Sequence, residues 1–198
     1  MPNDKAAHIP QHVAIIPDGN RRWAKKHNLS TEEGHRAGYE NLKKVADLAF
    51  ERGVKYVSGY AFSTENWDRT EAEVGYLMKL VAWVLKEEAK QFHAKGIKIN
   101  IIGSKSDLDA SLVRGLDILE QLTARNTAGV INICFNYGGR RDLTEAVRAL
   151  VSSGVSPADI DEERVSSALS TAGIPDPDLI IRTSGEQRLS NFLIWEGA

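Results

Sequence analysis

Short runs rich in Val, Ile, Tyr and Phe alternate along this chain with stretches whose apolar residues recur at helical spacing. The first kind suits strands buried on both faces, and the second suits amphipathic helices. Strand-like segments fall at 13–16, 54–62, 97–102, 130–135 and 179–181. Between them the spacing predicts helices over about 34–52, 70–95, 108–125, 142–151 and 163–172. Gly53 and Gly96 stand where helices end, and Thr70-Glu71-Ala72-Glu73 has the capping-box pattern. Strands joined through helices of this length imply βαβ crossovers. The expected fold is therefore α/β, a mainly parallel central sheet flanked by helices.

The chain has 198 residues, no repeat and no Pro/Gly-rich linker, so one domain spanning 1–198 is expected. A formal net charge of −2 argues against a nucleic-acid partner, since binders of that kind carry a basic excess. Cys134, the only cysteine, lies inside an apolar run and reads as a buried, inert thiol. The stretch 1–11 is polar with no secretory pattern, and no run approaches the length of about 20 apolar residues that a spanning helix needs. A cytoplasmic location is expected, with room for peripheral membrane contact.

Three polar clusters follow strand-like runs. In open α/β sheets ligands sit outside the carboxyl ends of the strands, where such loops converge. The first cluster is Asp18-Gly19-Asn20-Arg21-Arg22. Its carboxylate suits Mg²⁺ shared with substrate phosphates, its glycine admits a ligand close to the backbone, and its arginines neutralise phosphate oxygens. Asp-Gly-Asn is equally ordinary turn chemistry. The second cluster brings Ser63, Thr64, Glu65, Asn66, Trp67 and Arg69 together after an apolar run. Thr70 already caps the next helix, which leaves Ser63 and Asn66 without a capping role; the plain alternative packs Trp67 on the core and solvates the rest. The third cluster, Arg182-Thr183-Ser184-Gly185 with Arg188 and Ser190 beyond, suits a diphosphate clamp or a solvated surface turn.

Weaker signals complete the reading. Gly138-Gly139-Arg140-Arg141 either lines the same edge or simply turns the chain into a helix. His8, His12, His27 and His93 lack metal-ligand spacing and read as surface residues, while His35 near a helix start suits anion binding. The stripe Leu77, Leu80, Val81, Val84 and Leu85, with Met78 and Trp83 nearby, is core or the wall of an apolar cavity. No P-loop or dinucleotide fingerprint is present, which disfavours a nucleotide-dependent phosphotransferase.

At these residues the chain resembles the cis-prenyltransferases, the undecaprenyl diphosphate synthase (isoprenyl transferase) family. The matching text is His12-Val13-Ala14-Ile15-Ile16-Pro17-Asp18-Gly19-Asn20-Arg21-Arg22-Trp23-Ala24, Gly34-His35-Arg36-Ala37-Gly38 and Tyr60-Ala61-Phe62-Ser63-Thr64-Glu65-Asn66-Trp67-Asp68-Arg69. It continues with Asn136-Tyr137-Gly138-Gly139-Arg140 and the run from Asp178 through Arg182 and Arg188 to Leu193. The resemblance implies Mg²⁺-dependent, successive condensation of isopentenyl diphosphate onto an allylic diphosphate such as farnesyl diphosphate, each new double bond cis. The product would be a polyprenyl diphosphate of the kind that serves as a cell-wall lipid carrier.

By motif, Asp18 corresponds to the metal-binding aspartate. Gly19, Asn20, Arg21, Arg22, Trp23 and His35 would surround the allylic diphosphate. Asn66 matches the residue assigned as proton acceptor, with Ser63, Thr64, Glu65, Trp67 and Arg69 close to the substrates. Arg182, Arg188, Leu189 and Ser190 match the isopentenyl diphosphate site, and the helix bearing Leu77 to Leu85 is the expected wall of a product tunnel.

The resemblance also implies a homodimer, and a further C-terminal segment carrying a second metal glutamate and an Arg-x-Gly interface element. That segment is expected to be lacking beyond Ala198. Thr31 stands where family members often carry an arginine before the Gly-His pair. Two other assignments remain open on sequence: a short-chain synthase of the same family, and a non-catalytic subunit of a prenyltransferase complex.

Overall fold

A computed structural model describes residues 8–198, so part of the polar stretch 1–11 lies outside the described residues. Among the described residues five parallel strands form the sheet: β1 (His12–Ile16), β2 (Tyr56–Ser63), β3 (Ile97–Ile102), β4 (Gly129–Tyr137) and β5 (Leu179–Arg182). Their spatial order is β3-β4-β2-β1-β5. The parallel architecture expected from the alternation is thus present, and β2, β1 and β5, the strands preceding the three polar clusters, are consecutive neighbours.

Both faces of the sheet are covered, as continuous apolar strands require. Val13 and Ile15 pack with Ala46, Val54 and Val57 on one face. Ala14 and Ile16 join Tyr60, Cys134, Tyr137, Phe192 and Leu193 on the other. Cys134 is fully buried, and burial pushes its thiol pKa up, which makes it inert as expected.

Among the described residues seven α-helices connect the strands: α1 (Asn20–Lys26), α2 (Thr31–Glu51), α3 (Glu71–Glu87), α4 (Ala89–Ala94), α5 (Ala110–Thr123), α6 (Gly139–Ser152) and α7 (Glu162–Ala168). Three departures from the sequence reading have local causes. Helix α1 starts within the first polar cluster, which the sequence presents as a loop. Helix α2 opens at Thr31, earlier than expected, because Ser30 and Glu33 close a reciprocal capping box. The single helix expected to about residue 95 is two, α3 and α4, meeting at buried Glu88. That carboxylate accepts a hydrogen bond from Lys43 of α2 at 3.0 Å, which ties the junction of the two helices to α2.

Register breaks where β2 leaves the sheet. Tyr60 pairs with Cys134 and Phe62 with Phe135, which leaves Ala61 as an extra residue on β2; Asn136 is then extra on β4. Such bulges re-aim side chains near strand ends. Here they turn Ala61 away from the ladder and into open space.

His12, expected at the surface, is buried. Its Nδ1 lies 2.6 Å from the Pro175 carbonyl, which only accepts, so Nδ1 carries the proton. Nε2 therefore accepts from the Ser58 hydroxyl at 2.7 Å, Ser58 accepts from Asn132 at 2.9 Å, and Asn132 accepts from Asn100 at 2.9 Å. This file of side chains crosses four strands, each member bonded to the next. Burial lowers the His12 pKa, partly opposed by the Pro175 carbonyl. Because its folded-state pKa is depressed, the unfolded chain takes the proton first. Stability is then complete above the ordinary histidine value and declines as pH falls below about 6.5. We predict that His12→Ala costs about 2–4 kcal/mol and flattens that acid limb in urea titrations; an unchanged midpoint would contradict the assignment.

Candidate active site

The first and third clusters meet because β1 and β5 are in register, Ile16 opposite Arg182. Arg182 donates from Nη2 to Asp18 Oδ2 at 2.8 Å, and from Nη1 to the Arg188 carbonyl at 2.6 Å and to Ser190 Oγ at 2.7 Å. Asp18 Oδ1 accepts from the Gly19 N–H at 2.6 Å, and Thr183 Oγ1 donates to the Asp18 carbonyl at 2.6 Å. Partial burial pushes the Asp18 carboxyl up, but the Arg182 guanidinium and the Gly19 N–H outweigh it and leave the pKa below the ordinary range. Asp18 is an anion at neutral pH.

Gly19 is required here on two counts. Its φ of 92° lies in the left-handed region, and an added Cβ would come within 2.6 Å of Ser184 Cβ. Ser184, Ser190, Asn191 and Leu193 also hold positive φ, conformations that cost non-glycine residues about 1–3 kcal/mol each and concentrate at functional sites.

The second cluster forms one 3₁₀ turn, Thr64–Asp68. Ser63 and Asn66 cap it reciprocally, with Asn66 Oδ1 accepting from the Ser63 N–H at 3.1 Å. The sequence reading found no capping role for these two residues; the structure supplies one. Glu65 accepts from Asn191 Nδ2 at 2.7 Å. Asn191 Oδ1 in turn accepts from the Arg140 N–H at 2.9 Å, and its carbonyl accepts from the Gly139 N–H at 2.8 Å. The glycine pair thus starts α6 and admits this close approach, since a Cβ on Gly138 would lie 2.6 Å from Asn191 Nδ2.

The capping box expected from Thr70 to Glu73 is only half formed. The Glu73 N–H donates to Thr70 Oγ1 at 3.4 Å, while the Glu73 carboxylate turns away to take Arg69 at 2.6 Å and Arg21 at 3.4 Å. His35 Nε2 lies 3.5 Å from it. Burial and the nearby Arg69 lower the His35 pKa, which leaves a neutral imidazole at neutral pH. Gly34 and Gly38 flank His35 and let α2 sit directly against Asn20, whose side chain a Cβ at Gly38 would strike at 2.4 Å.

These groups enclose a polar cavity of about 540 Å³. Of the residues expected at the site, Asp18, Asn20, His35, Ser63, Glu65, Asn66, Arg69, Arg182 and Ser190 line it. Three clusters from well-separated parts of the sequence, the third more than a hundred residues beyond the second, therefore share one space. A second cavity of about 170 Å³ adjoins it, walled by apolar residues including Leu77, Leu80, Val81, Val84 and Leu85. Pro17, Asn20, His35, Ala61 and Leu77 border both. The helical stripe is thus cavity wall, while Trp83 packs on Tyr39 at 6.1 Å.

Other expected residues lie elsewhere. Trp23 is exposed and stacks on His27 at 4.2 Å. Trp67 faces away, donating to Asn136 at 2.9 Å with its ring edge-on to Phe62. Thr64 sits against Gly138, and Leu189 is half-buried in the following turn. Arg22 reaches Ser184 at 2.7 Å, and Arg188 pairs with Glu186. Arg21, Arg22 and Arg188 are thus held on carboxylates or hydroxyls at the periphery, with their side chains largely exposed. Sequence reasoning missed Tyr60 and Asn191 as cavity residues and Glu73 as the anion gathering the cations. The Glu73 signal was present in its spacing but was absorbed by the capping pattern.

The family model described as "Putative undecaprenyl diphosphate synthase" matches residues 16–198. The chain belongs to this family. An isoprenyl transferase of Brucella abortus biovar 1 (strain 9-941) is 47% identical over 96% of this chain and 76% of its own length. The decaprenyl diphosphate synthase of Mycolicibacterium smegmatis is 42% identical, with 100% of this chain and 69% of that protein covered. The crystal structure of lavandulyl diphosphate synthase from Lavandula x intermedia, in complex with dimethylallyl diphosphate, superimposes with a TM-score of 0.90 at 38% identity. That match covers 95% of this chain and 83% of the other. This cis-prenyltransferase is therefore an enzyme of the isoprenyl transferase class, and the parallel sheet expected from its sequence is the family's fold. Among its described residues no helix is long and apolar enough to cross a membrane.

Proposed function

We propose that this prenyltransferase condenses isopentenyl diphosphate repeatedly onto an allylic diphosphate, with farnesyl diphosphate as primer, to give a polyprenyl diphosphate. The observation that carries this is the junction of a cavity lined by Asp18, Arg69 and Arg182 with a second, predominantly apolar one. A charged head and a hydrocarbon tail can occupy the two at once.

The donor set at the polar cavity fits Mg²⁺. Among the described residues no group of three or more metal-ligating side chains is assembled, so no all-protein cage exists. Mg²⁺ commonly takes one or two carboxylates and completes its shell with water and substrate phosphates, and Asp18 is an ionised carboxylate on the cavity wall. When bound, the ion neutralises charge on the departing diphosphate.

In this proposal Arg182, with Ser190, holds isopentenyl diphosphate, and the cations around Glu73 and His35 receive the allylic diphosphate. The allylic carbon–oxygen bond breaks, the new carbon–carbon bond forms, and the extending unit loses a proton. Asn66 Oδ1 already accepts from the Ser63 N–H and an amide is a weak base, so Asn66 orients substrate while a diphosphate oxygen takes the proton. The protein works as a homodimer at the cytoplasmic membrane surface in this reading. Edge strand β5 supports an assembly, since it exposes Leu179 and Ile181.

A second reading has one observation in its favour. A cavity near 150 Å³ takes about one benzene-sized group, and 170 Å³ would suit a short-chain product. Incubation with radiolabelled isopentenyl diphosphate and farnesyl diphosphate, then chromatography, separates the two. We expect a ladder of products ending in one long species; a single product one unit longer than the primer would establish the short-chain reading instead.

A further inference from the structure

Elongation by five-carbon units soon outgrows a cavity of about 170 Å³, so a lengthening chain must leave it by some route. Two surface grooves border the cavity, each through one shared side chain. Leu80 stands between it and a groove along α2 and α3 that Glu32, Arg36 and Glu71 line. That groove is laced across. Tyr76 of α3 donates to the Glu32 carbonyl of α2 at 2.9 Å, and the Arg36 guanidinium lies 5.0 Å from the Trp83 ring centroid. Hydrocarbon entering there would bury charged groups without partners, which is costly.

Leu85 stands between the cavity and a different groove, about 590 Å³ between α3 and α5, lined by Met78, Leu108, Leu112 and Ile118. Lys79, Lys86 and Asp109 also line it, but lysine stems cover apolar surface while their heads stay in water. Opposite Leu85 stands Gly115, a residue that helix interiors disfavour. A Cβ there would lie 3.1 Å from Leu85 Cδ1, so the glycine leaves Leu85 room to turn outward.

Building on the polyprenyl reading above, we propose that the distal end of the growing chain passes Leu85 into the α3–α5 groove, and that Leu85 and Gly115 set product length. Leu85 is a specificity-determining residue in this account, remote from the reacting carbons.

The test compares product lengths for the unaltered protein, Leu85→Ala, Gly115→Ala and Leu80→Ala. Leu85→Ala should shift products at least one isoprene unit longer, Gly115→Ala should shorten them, and Leu80→Ala should leave them unchanged. The rate of the first condensation should stay within about twofold in Gly115→Ala, because that glycine lies outside both cavities. Lengthening by Leu80→Ala but not Leu85→Ala would overturn the route, as would three unchanged distributions. Should Leu85→Ala fail to fold, Gly115→Ala remains. A long allylic diphosphate with a diazirine at its distal end supplies a readout independent of turnover: labelling of α5 supports the route, and labelling of α2 contradicts it. Absence of both turnover and labelling in the unaltered protein defeats the enzymatic proposal itself, whereas normal turnover with unaltered lengths defeats only the Leu85 route.

Discussion

Asp18→Ala is expected to lower the rate of condensation by about 10³-fold or more. Two functions vanish together. The carboxylate is the anionic ligand on the cavity wall suited to a divalent ion, and it also holds Arg182 through a 2.8 Å ion pair. Asp18→Asn separates them in part: Gly19 and Arg182 use different carboxylate oxygens, so the single amide oxygen keeps one of the two contacts and carries no charge for a metal. Metal-dependent turnover should fall nearly as far in Asp18→Asn as in Asp18→Ala, while thermal midpoints stay close to that of the unaltered protein. The stability cost should be small, about 1 kcal/mol or less, since the pair is partly open to solvent. Undiminished turnover in either variant would remove the metal role.

Arg182→Ala should produce the second large effect, a rise of about 10–100-fold in KM for isopentenyl diphosphate. Hydrogen bonds to charged groups contribute about 1.5–3 kcal/mol each, and the guanidinium is the only cation that β5 itself brings to the cavity. It also anchors the loop that follows, through the Arg188 carbonyl and Ser190 Oγ. Losing that anchor frees residues held at positive φ, so kcat should fall as well. Arg182→Lys should recover only part of the loss, because a single ammonium cannot serve Asp18, a carbonyl and a hydroxyl in one plane. A KM for isopentenyl diphosphate unchanged by Arg182→Ala, with the allylic KM raised instead, would reverse the assignment of the two substrates.

The sheet was legible because continuous apolar strands and intervening amphipathic helices leave few other ways to bury both faces. That three clusters share one cavity followed from the same reasoning, once they were seen to follow strands. What escaped were features set by tertiary contact. The bulge that turns Ala61 between the two cavities depends on how β2 meets β4, and nothing in Tyr60-Ala61-Phe62 announces it. His12 sits at a strand start, where sequence gives no sign of Ser58 and Asn132 waiting on neighbouring strands. Glu73 had the right spacing for a cap, yet two arginines outcompeted its own backbone. Trp23 and Trp67 belong to the motif text but point away from the cavity, which shows that adjacency in sequence does not fix which side of a turn a residue faces.

A binding titration puts the account under the most direct strain. Farnesyl thiodiphosphate, which resists ionisation, and inorganic pyrophosphate are titrated in the presence of Mg²⁺, separately and in competition. Burying even one isoprene unit of tail at about 0.8 kcal/mol per carbon adds about 4 kcal/mol, so the analogue should bind at least about 10²-fold tighter than pyrophosphate and be displaced by it from one shared site. Equal affinities, or both ligands bound at once without competition, would mean that the charged pocket and the oily one next to it do not serve a single molecule.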